Sequence, residues 1–213
     1  MPSIIIGMVP NKLFDYIMDK CKKNAKLAEQ EYEQAVDPRL VDFIENVHSA
    51  PAGETNKLEY RISGVSERQR ADIERITGTP LYATCNFIKG SAIEHIENRH
   101  GVNGAADRTM ADINDVARIG FVIGNYDEAD FARNRKGEIS RSSEYKTPSG
   151  KPAPILLYVK KINGFYVVAE AVNDSRKKRL NVISAYKSKA NPLENNKTQV
   201  PDGSADKPQI PQV

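Results

Sequence analysis

The chain has 213 residues, of which 39% are hydrophobic and 28% are charged, and its formal net charge at neutral pH is +3. This length supports one core of ordinary size with a smaller appendage, and the composition is that of a soluble globular protein. No apolar run approaches the roughly 20 residues that span a bilayer, so a membrane span is not predicted. The run Ile4–Ile6 is too short for a signal sequence and no basic residues precede it, so no export signal is predicted either.

The first fifty residues have the pattern of two helices. From Asn11 to about Gln34, apolar residues recur at intervals of three and four, as on a helix with one buried stripe. The predicted stripe consists of Phe14, Ile17, Met18, Cys21, Ala25 and Ala28. A second helix is predicted to begin after Asp37, an N-cap residue followed by proline. Its apolar side consists of Val41, Ile44 and Val47. We expect residues 1–50 to form a helical hairpin, with a boundary between residues 49 and 60.

Two more helices and a strand are predicted between residues 60 and 125. Ser66 caps a helix that runs to Thr77 and is ended by Gly78, and residues 81–88 are rich in β-forming side chains. The strongest helical pattern runs from residue 110 to residue 123. The apolar face of that helix consists of Met110, Ile113, Val116, Ala117, Gly120 and Ile123.

A short helix is predicted over Ser91–Gly101, and it holds two of the three histidines of the chain. Ser91 is an N-cap type of residue, and Glu94 follows three positions later, as in a capping box. Gly101 is suited to the left-handed conformation that often ends a helix. The helix is therefore predicted to have well-defined ends.

The histidines of this helix are candidates for acid–base chemistry on an anionic substrate. His95 and Arg99 are four residues apart and share a helical face, and His100 lies in the last turn, where the helix dipole favours a protonated imidazole. A structural interpretation also fits. His95 lies beside Ile93 and Ile96 and is compatible with a hydrogen-bonded core histidine, and His100 is compatible with a C-capping side chain.

No metal or cofactor site is predicted. His95 and His100 are five residues apart, which does not place two ligands on one helical face, and no cysteine cluster accompanies them. The sequence contains no glycine-rich dinucleotide motif, no phosphate-binding Gly-Lys-Ser/Thr loop and no His-Glu-x-x-His motif. Cys21 and Cys85 are widely separated and favour a reduced intracellular pair over a disulfide.

From residue 127 onward the pattern is that of β-strands. Extended segments are predicted within residues 127–145, on both sides of a turn at 134–137, and over residues 155–162, 165–172 and 180–187. Asn163 and Gly164 form the dipeptide that a two-residue hairpin turn prefers. In the last strand, alternation predicts that Val182, Ser184 and Tyr186 share one face. The fold class is therefore α+β, with a helical N-terminal half followed by a small antiparallel sheet.

The C-terminal part combines a basic strip with a polar tail. Residues 174–189 contain six cations and one acidic residue, which is either a footprint for phosphate or a solvated loop. From residue 190 to residue 213 the chain has no apolar pattern, and a disordered tail or linker is predicted.

Several of these segments together resemble a group of phage-encoded domains. The segments are His95–Gly101, Met110–Ile119, Asn125–Asp127 and Val182–Lys187. Such domains occur at the C-terminus of MuF-type head-morphogenesis proteins and within phage polyvalent proteins, and they are similar to predicted phage nucleases of the barnase–EndoU–colicin–RelE superfamily. The resemblance covers about residues 66–188, and we expect residues 61–189 to form the corresponding domain.

The resemblance implies a metal-independent ribonuclease-like fold with its site on the sheet. RNA would be cleaved by attack of a 2′-hydroxyl on the adjacent phosphate, which needs a base, an acid and donors for the phosphorane charge. It implies that His95 and His100 are the acid–base pair, that Arg99 binds the phosphate, and that Ser184 and Tyr186 act as a donor and a base-stacking surface. The cations implied to bind substrate are Lys160, Arg176, Lys178, Arg179 and Lys187. Structural roles for Tyr186, Ser184 and Lys160 fit the same pattern.

Two functions follow as hypotheses. The first is an endoribonuclease toxin or effector that acts on RNA, with tRNA as a candidate, in the host cytoplasm or from the phage virion, with no cofactor. An immunity protein or phage head proteins would be its protein partners. The alternative is a phage head-associated or injected domain that binds nucleic acid without cleaving it. ADP-ribosyl transfer is a weaker third hypothesis, because no dinucleotide-binding motif is present.

Overall fold

A computed structural model describes residues 11–51, 53–173 and 178–194. Its helices are α1 (Asn11–Gln34), α2 (Pro38–Ser49), α3 (Glu67–Thr77), α4 (Gly90–His100), α5 (Ile113–Ala117) and α6 (Ile119–Asn125), with a 3₁₀ turn at Thr55–Lys57. Its strands are β1 (Glu59–Gly64), β2 (Cys85–Lys89), β3 (Glu128–Phe131), β4 (Arg141–Lys146), β5 (Pro152–Lys161), β6 (Phe165–Ala171) and β7 (Arg179–Ser188). Within these residues, no helix is both long enough and apolar enough to cross a bilayer.

The seven strands form one sheet in the order β1-β2-β7-β6-β5-β3, and β4 pairs with β5 outside this path. All neighbouring strands are antiparallel apart from β2 and β7, which run parallel. The hairpin of β5 and β6 turns at Asn163 and Gly164, whose φ angles are 46° and 118°. The α+β class, the helical N-terminal half and the largely antiparallel sheet are confirmed, although β1 and β2 lie between helices. Strand β1 and the parallel pairing of β2 with β7 were not predicted.

The helices cover one face of this sheet and enclose the main core. Leu40, Ile44 and Val47 of α2 are buried in the same cluster as Ile93 of α4 and Tyr158 of β5. The second helix of the predicted hairpin is therefore packed against the part of the chain that forms the sheet.

Two residues of the predicted apolar stripe of α1 are not buried. Ile17 and Met18 are 47% and 42% exposed, so the predicted buried stripe is wrong at these positions. The side chains of Phe14, Cys21, Ala25 and Ala28 lie outside the described residues. Instead, α1 is attached to the body at its last turns, where Tyr32 is buried and its hydroxyl donates to Asp115 Oδ1 at 3.0 Å.

The predicted helix over residues 110–123 is two shorter helices that meet at Arg118. The guanidinium of Arg118 is buried beside α1, where Nε donates to the carbonyl of Tyr32 at 2.9 Å and Nη2 lies 3.1 Å from Glu33 Oε2. Nη1 lies 3.2 Å from Asp115 Oδ1. Because the helix breaks at Arg118, its guanidinium reaches the end of α1 and donates to carbonyl and carboxylate oxygens there.

Helix α4 ends at Gly101 as predicted, but its start and the conformation of that glycine differ from the prediction. It starts at Gly90 rather than after Ser91, its N-cap is Lys89, and Glu94 accepts a hydrogen bond from Thr55 instead of closing a capping box. Gly101 ends the helix with φ −74°, so the predicted left-handed conformation is wrong. Glycine is still required there, because a Cβ atom would lie 2.6 Å from the carbonyl oxygen of Glu97.

A β-bulge in β7 reverses part of the predicted alternation. Ala169 pairs with Ser184, but the next residue, Glu170, pairs with Val182, so Ile183 is an extra residue. Val182 is buried in the core on the helical face, whereas Tyr186 packs in a second cluster on the opposite, outer face. The prediction that Val182 shares a face with Ser184 and Tyr186 is therefore wrong.

The chain remains ordered beyond the predicted start of the tail. Leu193 is 2% exposed and packs in the cluster on the outer face of the sheet. The predicted disorder thus does not hold for residues 190–194, and the remainder of the predicted tail, 195–213, lies outside the described residues.

A buried polar network lies between α3 and the sheet. The side-chain amide of Gln69 contacts Asn86, the hydroxyl of Tyr158 and the carboxyl of Glu170. Tyr158 donates to Glu170 Oε2 at 2.7 Å, while Oε1 has no hydrogen-bond partner among the described residues. Burial raises the pKa of Glu170 to about 8, against the opposing effect of the bonds from Tyr158 and Gln69.

We expect Glu170 to make the protein less stable as pH rises from about 4.5 to about 8. The folded state holds this proton more tightly than the unfolded state, so the free energy of unfolding falls with pH in this window, by at most about 1.4 kcal/mol per pH unit. Glu170→Gln, which carries no charge at any pH, should remove this slope. Urea unfolding at pH 5, 6, 7 and 8 measures it, with Glu45→Gln on the exposed side of α2 as the control. An unchanged slope in Glu170→Gln would contradict the buried, protonated carboxyl.

Candidate active site

An open cleft of about 370 Å³ lies on the outer face of the sheet, between α4, β4 and β7. It is lined by Ser91 and His95 of α4, by Ser184 of β7 and by Arg141 of β4, and Asn56 of the 3₁₀ turn also contributes. The cleft exists because β2 pairs with β7 only up to Val182, and α4 then takes the place of β2 beside the second half of β7. The structure thereby brings together His95 and Ser184, which are far apart in the sequence.

The first turn of α4 lines the cleft and has no side-chain cap, although the N–H of Gly90 donates to the carbonyl of Leu58 at 3.0 Å. Lys89 is the N-cap and its side chain makes no capping hydrogen bond, so the N–H groups at the start of the helix are not capped by a side chain. Ser91 and Ala92 of this turn line the cleft. Backbone donors and the positive end of the helix dipole favour an anion at this position.

His95 lies one turn further along the helix and is exposed to the cleft. Partial burial lowers the pKa of His95 below its ordinary value, and the positive charges of Arg99 and His100 lower it further. The imidazole is therefore neutral at neutral pH and able to accept a proton. Arg99 is exposed, and it makes no ion pair within the described part of the chain.

His100 is held in place by an acidic partner and an aromatic ring. Its Nδ1 lies 2.8 Å from Asp107 Oδ2, and its ring stacks on Tyr186 with centroids 5.3 Å apart. Burial alone would raise the pKa of Asp107, but hydrogen bonds from Thr109 and His100 outweigh it and lower that pKa. Because Asp107 is ionised, Nδ1 of His100 is the donor in this bond, which leaves Nε2 to exchange protons. His100 is only 13% exposed.

The wall of the cleft formed by β4 was not found by sequence reasoning. Arg141 donates from Nη1 to the carbonyl of Pro152 at 3.0 Å, which holds its guanidinium at the cleft. In the second half of β4, Glu144 forms an ion pair of 2.8 Å with Lys89, the N-cap of α4. The ammonium group of Lys89 also lies over the ring of Tyr145, so this contact joins α4 to β4. The sequence of β4 is polar and has no motif, and only its pairing with β5 brings it near α4.

The cations that were predicted to bind substrate mostly lie elsewhere, in ion pairs. Lys160 pairs with Asp127 at 2.8 Å, and Lys187 pairs with Asp115 at 2.7 Å on the face opposite Tyr186. Lys187 also lies over the ring of Tyr32, 5.7 Å from its centroid. None of these contacts lies in the cleft.

Of the remaining three predicted cations, the two that the structure describes do not line the cleft. Arg179 makes two bonds of 2.6 Å to Glu59 and lies over the ring of Phe87, so it ties β7 to β1 across β2. Lys178 is exposed in the turn before β7, with a positive φ of 52°. Arg176 lies outside the described residues.

No group of three or more metal-binding side chains occurs within residues 11–51, 53–173 and 178–194. Cys85 carries a free thiol, and the side chain of Cys21 lies outside the described residues. The polar side chains that line the cleft include the imidazole of His95, the guanidinium of Arg141, the carboxylate of Glu144 and several hydroxyl groups.

Comparison with known proteins assigns the chain to a family. Residues 63–195 match the family described as phage-Barnase-EndoU-ColicinE5/D-RelE like nuclease3, and this segment includes α3, α4 and every strand from β2 to β7. No curated protein and no solved structure matches the chain at a significant level. The match covers more than half of the chain and contains both histidines of α4 and the strand of Ser184. The chain therefore belongs to the phage-Barnase-EndoU-ColicinE5/D-RelE like nuclease3 family, as the resemblance of its histidine helix and terminal strand predicted.

Proposed function

We propose that this domain is an endoribonuclease that cleaves RNA by attack of a 2′-hydroxyl on the neighbouring phosphate. The observation that carries the proposal is the cleft that joins His95, Ser184 and Arg141 at the start of α4. A neutral base, a hydroxyl, a cation and uncapped helix N–H groups in one cleft are suited to binding and reacting a phosphodiester.

In the proposed mechanism, His95 is the general base. Its lowered pKa keeps the imidazole neutral, so it can take the proton of the 2′-hydroxyl while O2′ forms a bond to phosphorus. The charge that develops on the phosphate oxygens would be stabilised by Arg141, Ser184 and the N–H groups of the first turn of α4. Arg99, exposed on the same helix, would bind the phosphate from the solvent side.

His100 is the proposed general acid. It lies five residues after His95, roughly 7.5 Å further along the helix axis, and it does not line the cleft itself. Its ring stacks on Tyr186, two residues after Ser184 in the same strand. Asp107 accepts from Nδ1 and so fixes the orientation of the ring, whose Nε2 would give a proton to the departing 5′-oxygen. The products are a 2′,3′-cyclic phosphate and a 5′-hydroxyl. We assign Tyr186 to positioning His100, because His100 covers one face of its ring.

A domain that binds nucleic acid without cleaving it is the second candidate. It is favoured by one observation, namely that His100 is largely buried and engaged with Asp107 and Tyr186, as in a structural role. In either case we propose a phage effector that meets RNA in the host cytoplasm or is carried by the virion. A MuF-type or polyvalent parent protein, phage head proteins and an immunity protein belong to the same proposal.

The purified chain is expected to cleave tRNA and unstructured RNA in excess EDTA, leaving 2′,3′-cyclic phosphate ends. His95→Ala and His100→Ala should each slow cleavage by about 100-fold or more, because each removes a proton-transfer group. His48→Ala is the matched control, since this third histidine is exposed on α2 and bonds to Glu97 at 2.8 Å outside the cleft. Gel analysis of the products with end-group mapping measures the result.

The outcomes of this experiment separate the two candidates. Equal loss in all three histidine variants, or cleavage that EDTA abolishes, would contradict the proposed mechanism. RNA that is bound in a salt-sensitive manner but stays intact would favour the binding domain.

The pH dependence of cleavage tests His95 as the base. The base must be neutral, so kcat/KM should fall as pH drops through the pKa of His95. The midpoint of this acidic limb of the pH profile should lie below 6.5, the ordinary pKa of a histidine. Arg99→Gln removes one of the charges that lower this pKa, so the limb should move to higher pH. Arg135→Gln, in the exposed turn between β3 and β4, is the control and should leave the limb in place. A limb that does not move in Arg99→Gln would argue against His95 as the titrating base.

A further inference from the structure

A second cleft, of about 510 Å³, lies at the end of the sheet, beyond the proposed active site. Its walls are mostly apolar, and its edge carries small polar side chains. The walls are formed by Ile73, Ile76, Leu81, Phe131, Ile139 and Val172, and the polar edge by Thr77, Thr79, Thr147 and Asn173. This volume and this combination of apolar walls with a few polar groups are those of a site for a small organic group.

Arg141 lines both clefts. Its Nη1 is held by the carbonyl of Pro152, so the guanidinium stays at the point where the two clefts meet. A ligand that enters both clefts must therefore pass this cation, and a negative charge at that point is favoured. An apolar cleft could hold a base, Arg141 a phosphate, and the acid–base groups lie in the other cleft. This order corresponds to the order of groups along a nucleotide chain.

Tyr82 stands at the edge of the second cleft and is 68% exposed, which is unusual for a large aromatic side chain. The backbone on both sides of it is held in place. Arg70 donates to the carbonyls of Leu81 and Ala83, and the N–H of Leu81 donates to Glu74 Oε1 at 2.9 Å. The exposed side chain thus belongs to a segment whose backbone is anchored on both sides.

We propose that the second cleft binds a nucleobase of single-stranded RNA, next to the phosphate held in the active-site cleft. This inference rests on the proposed function and extends it by naming a base-binding subsite. The base stacks on Tyr82 and enters the apolar cleft, and Arg141 binds the phosphate between the subsites. The polar edge of the base faces the hydroxyls of Thr77 and Thr79, which bond to each other at 3.2 Å. A folded duplex does not offer an unstacked base, so single-stranded RNA is the expected ligand class.

The test measures binding of a fluorescent, fully 2′-O-methylated RNA oligomer, which has no attacking hydroxyl, by anisotropy in EDTA. A set of oligomers, each with one abasic position, is compared with the intact oligomer. Tyr82→Ala is expected to weaken binding of the intact oligomer about fivefold or more, and Tyr82→Phe to bind as the wild type does. Leu27→Ala is the control, because this side chain is 56% exposed on α1 and lines neither cleft.

The decisive result is whether the losses of binding caused by the abasic position and by Tyr82→Ala fail to add. In the wild type, one abasic position should weaken binding, and in Tyr82→Ala the same position should have little further effect, because the stacking partner is already lost. Equal losses from the abasic position in both proteins, or wild-type affinity of Tyr82→Ala, would overturn the subsite. Absence of binding by the wild-type chain would overturn it as well.

A parallel assay with cleavable RNA distinguishes failure of the subsite from failure of the proposed function. Cleavage that is unaffected by Tyr82→Ala in rate and base preference overturns the subsite and leaves the nuclease intact. Tyr82-dependent binding without cleavage overturns the nuclease and supports the subsite.

Discussion

Strand β2 passes directly into helix α4, and this join depends on a close contact at Gly90. A Cβ atom at this position would lie 2.5 Å from the carbonyl oxygen of Thr55, closer than side-chain carbons approach a backbone oxygen, so only glycine allows the 3₁₀ turn to pack there. Because no loop intervenes, the first turn of α4 lies where β2 would have continued beside β7. His95 and Ser184 meet for this reason, and the cleft takes its geometry from the sheet rather than from a mobile loop.

The bulge at Ile183 is the second constraint on the site. Without the extra residue, strict alternation would place Ser184 and Tyr186 on the same face as Val182, which is buried beneath the helices. With it, Ser184 lines the active-site cleft and Tyr186 supports the ring of His100. A local irregularity in one strand thus converts two core-facing positions into positions at the proposed site.

Five positively charged side chains of the described residues fall into two groups with different roles. Arg118, Lys187 and Arg179 are paired with carboxylates in or near the interior, where they attach α1 to the body and tie β1 to β7. Removing one member of such a pair leaves a poorly solvated charge, which typically costs about 3–5 kcal/mol when the pair is fully buried. Arg99 and Arg141 are exposed beside the histidines and remain available to an anionic ligand. Charge density along the sequence did not separate these groups, because pairing partners such as Glu59 and Asp115 are distant in the chain.

The sequence by itself determined the elements whose signals are local. The caps at Asp37 and Ser66, the hairpin turn at Asn163–Gly164 and the family of the histidine helix all follow from short stretches of residues. Tertiary structure alone decided the parallel pairing of β2 with β7, the break at Arg118, the bulge at Ile183 and the placing of Arg141 at the cleft. Each of these depends on contacts between residues far apart in the chain, whose free energy outweighs local propensity and alternation, so no pattern within one segment could have revealed them.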